Sequence, residues 1–88
     1  MEDLEAAIRN VVEGEFKGAV VEFDDDPGYE KVVGTVVWDK FEGEPQSVRQ
    51  RTLWDAMRRR LASGELTSIG LMMTLTRAEL NSILGEAA

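Results

Sequence analysis

Two β-branched runs joined by a strong turn signal constrain this chain more than any other feature. Ala19-Val20-Val21-Glu22-Phe23 is followed by Asp24-Asp25-Asp26-Pro27-Gly28, and then by Lys31-Val32-Val33-Gly34-Thr35-Val36-Val37-Trp38. Pro presets φ and Gly accepts positive φ, so the intervening segment reverses the chain and the two runs pair as an antiparallel hairpin. Gly34 marks either a bulge or a place where a helix packs closely on the sheet. An isolated hairpin is marginal in water and needs a further strand or a helix against one face. The flanking sequence supplies both.

Leu4, Ala7, Ile8, Val11 and Val12 fall at i, i+3, i+4, i+7 and i+8, which predicts a helix over 3–13 with Gly14 as its stop. After the connector Phe41-Glu42-Gly43-Glu44-Pro45, a central helix is expected with Ser47 as its N-cap. Its apolar stripe is Leu53, Trp54, Met57 and Leu61. Arg49 and Arg60 flank the stripe on one side, Arg51 and Arg58 on the other, and Arg59 lies opposite; Arg51 is spaced to pair with Asp55. Ser63-Gly64 ends this helix, and Ile69 to Leu75 reads as a third, well-buried strand. Thr76-Arg77-Ala78-Glu79 has capping-box spacing and opens a last helix, with Leu80, Ile83 and Leu84 inward and Gly85 beyond its end. The expected fold is α+β, an α-β-β-α-β-α sandwich with helices on one face of a three-stranded sheet.

Eighty-eight residues make a single domain, 1–88, with no room for a cleft between lobes. The chain has neither Cys nor His. Disulfides, thiolate chemistry, the usual zinc sites and His-based acid–base catalysis are thereby excluded. No apolar run approaches membrane-spanning length, so the default expectation is a soluble cytoplasmic protein. The net charge of −7 is unevenly spread: residues 1–46 hold 13 acids and 4 bases, whereas residues 47–88 hold 4 acids and 6 bases.

The stretch from Phe41 to Leu61 resembles the BolA-like proteins. Their signature is an aromatic-x-Gly entry, an Arg-His-Arg triplet, and Val and Leu at helical spacing. Here Phe41 and Gly43 take the entry, Arg49-Gln50-Arg51 the triplet, and Leu53, Met57 and Leu61 the helix face. Allowing a short insertion near Ser63, Thr74-Leu75-Thr76 falls on the family's Thr-Pro-Glu-like helix opening, and Ser68 stands where the family places a His. The resemblance implies the BolA fold, which is similar to the type II KH fold. It also implies a partner of the monothiol glutaredoxin kind, with which family members share a [2Fe–2S] cluster through His and a second His or Cys. The departures are as informative. Gln50 replaces the central His of the triplet, and Ser68 and the oxygen donors Asp24, Asp25 and Asp26 are poor ligands for such a cluster. No cofactor and no metal are therefore expected.

Three readings of the arginine-rich helix stand side by side: a solvated face paired with the acidic first half, a protein-docking face centred on Arg49 and Arg51, and a nucleic-acid interface. Arg49, Arg51, Arg58 and Arg59 are the candidate binding residues, with Trp38 as a further anchor at the end of the second strand. The nucleic-acid reading lacks a Gly-x-x-Gly clamp and an aromatic array, and the acidic net charge opposes it. The Asp24–Gly28 tip fails the spacing of a calcium-binding loop and reads as a solvated turn. An apolar open sheet face, if present, would serve a small pocket or a homodimer. Without His no nucleophile finds its usual activating base, so catalysis is not expected. The leading expectation is a non-enzymatic adaptor that binds a protein partner.

Overall fold

The structure is a computed structural model that describes residues 2–24 and 30–87. Its elements, in chain order, are α1 (Glu2–Glu15), β1 (Val20–Phe23), β2 (Val32–Val37), a 3-10 turn (Asp39–Phe41), α2 (Gln46–Arg60), α3 (Ser63–Thr67), β3 (Ile69–Leu75) and α4 (Arg77–Ala87). The Asp25–Gly28 part of the hairpin tip lies outside the described residues.

The strands form one mixed sheet in the order β1-β2-β3, with β1 antiparallel and β3 parallel to β2. The hairpin register sets Val21 opposite Val36 and Phe23 opposite Gly34. Gly34 is required by neither a bulge nor a helix. A Cβ there would lie 3.0 Å from both the Phe23 ring and the Glu22 carbonyl, so Gly makes space for the cross-strand aromatic. The irregularity falls elsewhere: Val32 pairs with Ile69 and Val33 with Leu71, leaving Gly70 as the extra residue on β3.

Leu4, Ile8, Val11 and Val12 of α1 and Leu53, Ala56 and Met57 of α2 pack on Val21, Val32, Val36 and Met72 of the sheet. This is the hydrophobic core, and the period-3.6 and period-2 patterns that predicted these elements are the patterns that fill it. Phe16, Trp38 and Phe41 close one end, with Phe16–Trp38 and Trp38–Phe41 ring centroids 5.1 and 5.3 Å apart, edge to face.

Several boundaries differ from expectation, each for a local reason. Gly14 lies inside α1, where a Cβ would fall 2.6 Å from Arg60 Nη1, and the reversal is made at Gly18, whose φ is +89°. The N-cap of α2 is Pro45, not Ser47; the Pro45 carbonyl accepts from the N–H groups of both Val48 and Arg49. Ser63-Gly64 does not end a helix but opens α3, which the Glu65 carboxylate caps by accepting from the Ala62 N–H at 2.8 Å. The bounds of β3 are as expected, but the strand is not buried on both sides: Leu71 is 53% and Met73 40% exposed. In α4 the box forms in both directions, Glu79 N–H to Thr76 Oγ1 and Thr76 N–H to Glu79 Oε1. Leu80 is only half-buried, however, and Ile83 and Leu84 are exposed rather than inward. They fall beyond the reach of the core because α4 leaves the sheet at the end of β3.

Candidate functional site

The arginines that the sequence groups together are separated by the geometry of α2. Arg49 is 4% exposed. Its Nε donates to the Glu44 carbonyl at 2.8 Å, its Nη1 to the Thr74 carbonyl at 3.2 Å, and its two terminal nitrogens to the two carboxylate oxygens of Glu79 at 2.6 and 3.1 Å. The guanidinium also lies 5.7 Å from the centre of the Phe41 ring. One side chain thus ties the connector, α2, β3 and α4 together. The bidentate fork suits Arg alone, since a lysine ammonium cannot present parallel donors. The hydrogen bond from Arg49, followed by the one from the Thr76 N–H, holds the Glu79 carboxyl at about 2, against the opposing effect of partial burial. Reciprocally, the hydrogen bond to Glu79 raises the Arg49 pKa although burial works against it. Arg49 is therefore an interior brace and is not available on a surface.

Arg51 is exposed and has no carboxylate partner among the described residues. The expected Arg51–Asp55 pair does not form, because Asp55 is taken by Arg58 one turn further on. Arg59 bonds Glu15 of α1 at 2.8 Å, and Arg60 lies 3.7 Å from the same carboxylate. The pairing of basic α2 with acidic α1 is thus present, and it engages Arg59 and Arg60 but not Arg51.

Gln50, between the two triplet arginines, bridges α2 to the outer edge of β3. Its Nε2 donates to the Met72 carbonyl at 2.8 Å and to Thr74 Oγ1 at 3.1 Å, while its Oε1 accepts from Trp54 Nε1 at 3.1 Å. Gln46, one turn earlier, donates to the Thr74 carbonyl at 2.9 Å and accepts from the Thr74 hydroxyl at 2.7 Å. Beside this network a groove of about 350 Å³ is lined by the two glutamines and by residues 71–75. Sequence reasoning passed over Gln46, Thr74 and the second role of Glu79. The only signals were two glutamines four apart on one side of α2 and a lone hydroxyl in an apolar strand.

Trp38 is half-buried, its indole N–H donates to the Lys17 carbonyl at 2.9 Å, and its ring is wedged between Phe16 and Phe41. Ser68 sits immediately before β3, where its hydroxyl donates to the Gly64 carbonyl at 3.1 Å and its carbonyl accepts from the Val32 N–H. Its chemistry there is that of a helix-end hydroxyl. No group of three or more metal-ligating side chains occurs among the described residues. Nor is any helix among them long and apolar enough to cross a membrane.

No family model matches the sequence, and no curated protein matches it. Solved structures do. The chain is similar to a BolA protein homologue from Coxiella burnetii, with 21% identity and a TM-score of 0.61 over 84% of this chain and 91% of that one. A bol-like protein from Babesia bovis matches at 17% identity and a TM-score of 0.55, covering 88% of each chain. The BolA domain of SufE1 from Arabidopsis thaliana matches at 26% identity and a TM-score of 0.55, over 82% of this chain and 90% of that domain. Helix-covered mixed sheet, element order and solved neighbours agree on one fold.

Proposed function

The chain is BolA-like, and on that premise we propose that it is a non-enzymatic adaptor that binds a protein partner through the solvent face of α2. The observation that carries this reading is the state of Arg51: an exposed guanidinium with no partner among the described residues, in a chain of net charge −7. Arg58 lies two turns along the same face, and its exposed pair with Asp55 is readily exchanged for a partner's carboxylate. Leu71 and Met73, in the groove that Gln46 and Gln50 of α2 also line, add exposed apolar area. A basic rim beside an apolar strip fits a protein surface that presents carboxylates around an apolar centre. The likeness to a BolA domain that is one part of the larger SufE1 protein supports a module working alongside other protein parts.

The family-type partner is a monothiol glutaredoxin, and without Cys or His the chain would join it without ligating a cluster. Calorimetric titration of cluster-free monothiol glutaredoxin tests the proposal. Arg51→Ala/Arg58→Ala is expected to weaken binding about tenfold, or ~1.4 kcal/mol, with the urea midpoint unchanged. Undiminished affinity in that variant would remove α2 as the docking face. A mixed-sequence DNA duplex titrated in parallel provides the opposing outcome: a complex whose affinity falls steeply with salt would replace the adaptor with a nucleic-acid binder.

A further inference from the structure

Sulfur chemistry in this chain is confined to methionine, because it has four Met and no Cys. The fold treats the three Met among the described residues in opposite ways. Met57 of α2 and Met72 of β3 are 0% and 1% exposed and belong to the hydrophobic core. Met73 follows Met72 on the same strand, where alternation turns its side chain to the other face of the sheet, and it is 40% exposed. It lies outside the core cluster and lines the groove beside Gln46 and Gln50. Met73 is therefore the only exposed sulfur-bearing side chain among the described residues, and no thiol of this chain competes with it for an oxidant.

The surroundings accept the oxidised product as readily as they expose the thioether. Thr35 of β2 is paired with Met73 in the parallel register, which puts a hydroxyl on the same sheet face as a donor for an added oxygen. We propose that Met73 is a modification site for hydrogen peroxide, and that its sulfoxide weakens the docking face described above; the second part rests on that reading. The sulfur lone pair attacks one peroxide oxygen, and the S–O bond forms as the O–O bond breaks. Hydroxide leaves and takes the proton of the transferred OH to become water, so sulfur loses the two electrons that the peroxide gains. The product puts a polar group between Leu71 and Leu75 on one face of β3, and an apolar side chain of a partner must displace water from it to pack there. Buried Met57 and Met72 are spared, so the change falls on the surface and leaves the core as it was.

Peptide mass mapping of the full chain after a hydrogen peroxide pulse, ended with catalase, tests the site. Met73 should gain one oxygen about tenfold faster than Met57 and Met72, with the urea midpoint unchanged. Comparable rates at the three residues, or a chain unfolded by oxidation of Met73, overturns the proposal. The oxidised chain, freed of peroxide, should bind cluster-free monothiol glutaredoxin about fivefold more weakly than the reduced chain. Met73→Leu should bind like the reduced wild type before and after the pulse, and a thiol-driven methionine sulfoxide reductase should restore the affinity of the oxidised wild type. Equal affinity of the reduced and oxidised chains overturns the regulation and leaves the docking face standing. A reduced chain that binds no glutaredoxin overturns the docking face and its regulation together.

Discussion

Arg49 and Arg51 are two residues apart on the same helix and do opposite things. A separation of two residues turns the side chain by roughly 200°, so one arginine points toward β3 and α4 while the other points to water. Arg49 is 4% exposed and bonds two backbone carbonyls and one carboxylate; Arg51 is exposed and without a partner among the described residues. The lesson is that a basic triplet is not one site. Its first arginine builds the scaffold, its glutamine closes a sheet edge, and only its last arginine is left for recognition.

Removing Arg49 breaks the comparison from the structural side and carries the largest effect. Arg49→Ala leaves the Glu44 carbonyl without this donor, leaves the Thr74 carbonyl with Gln46 alone, and takes away the attachment of Glu79, at a cost of about 2 kcal/mol in urea unfolding. Arg49→Lys restores the charge but not the fork and should recover only part of that loss. A cost for Arg49→Ala no greater than that of an ordinary surface substitution would mean that the brace contributes nothing.

The carboxylate end of the same pair gives a smaller, pH-dependent effect. The folded-state pKa of Glu79 is lowered from 4.5 to about 2, chiefly by the hydrogen bond from Arg49. A depressed carboxyl contributes stability that is fully present above the unfolded value and is lost as pH falls from about 4.5 toward 2. Wild type should therefore exceed Glu79→Gln in urea midpoint at pH 7, and the two should converge by pH 2. Gln at this position can still close the capping box, so the difference isolates the ionic contact with Arg49. Parallel pH profiles for the two proteins would place the attachment of α4 elsewhere.

What was legible in the sequence divides along the same line. The hairpin, the bounds of β3, the Thr76–Glu79 box and the order of elements follow from patterns that repeat within a few residues. The inward role of Arg49 does not, because it depends on Glu79 and Thr74, 30 and 25 residues away. A helical wheel shows only that Arg49 flanks the apolar stripe. It cannot show that a carboxylate waits beyond it. α3 was hidden for a related reason: Ser63-Gly64 carries stop chemistry, and the Glu65 cap that restarts a helix there is a single polar contact. The exposure of Ile83 and Leu84 depends on how far α4 extends past the sheet, which periodicity does not encode. In the candidate site, Arg51 and Arg58 were placed on one side of the stripe from spacing alone, whereas the bonds of Gln46 and Gln50 to Met72 and Thr74 were invisible because Gln on a helix flank is ordinary.

The smallest expected effect is the one that sharpens the comparison most. Arg51→Ala removes an exposed side chain with no partner among the described residues and should change stability by no more than about 0.5 kcal/mol. Near-neutrality in urea, set beside the loss from Arg49→Ala, would divide the triplet energetically as the geometry divides it. It would also make any loss of partner affinity in Arg51→Ala a statement about recognition, since no unfolding could account for it. A destabilisation close to that of Arg49→Ala would instead mean that Arg51 finds a carboxylate in solution, and the two arginines would then belong to one brace rather than to scaffold and surface.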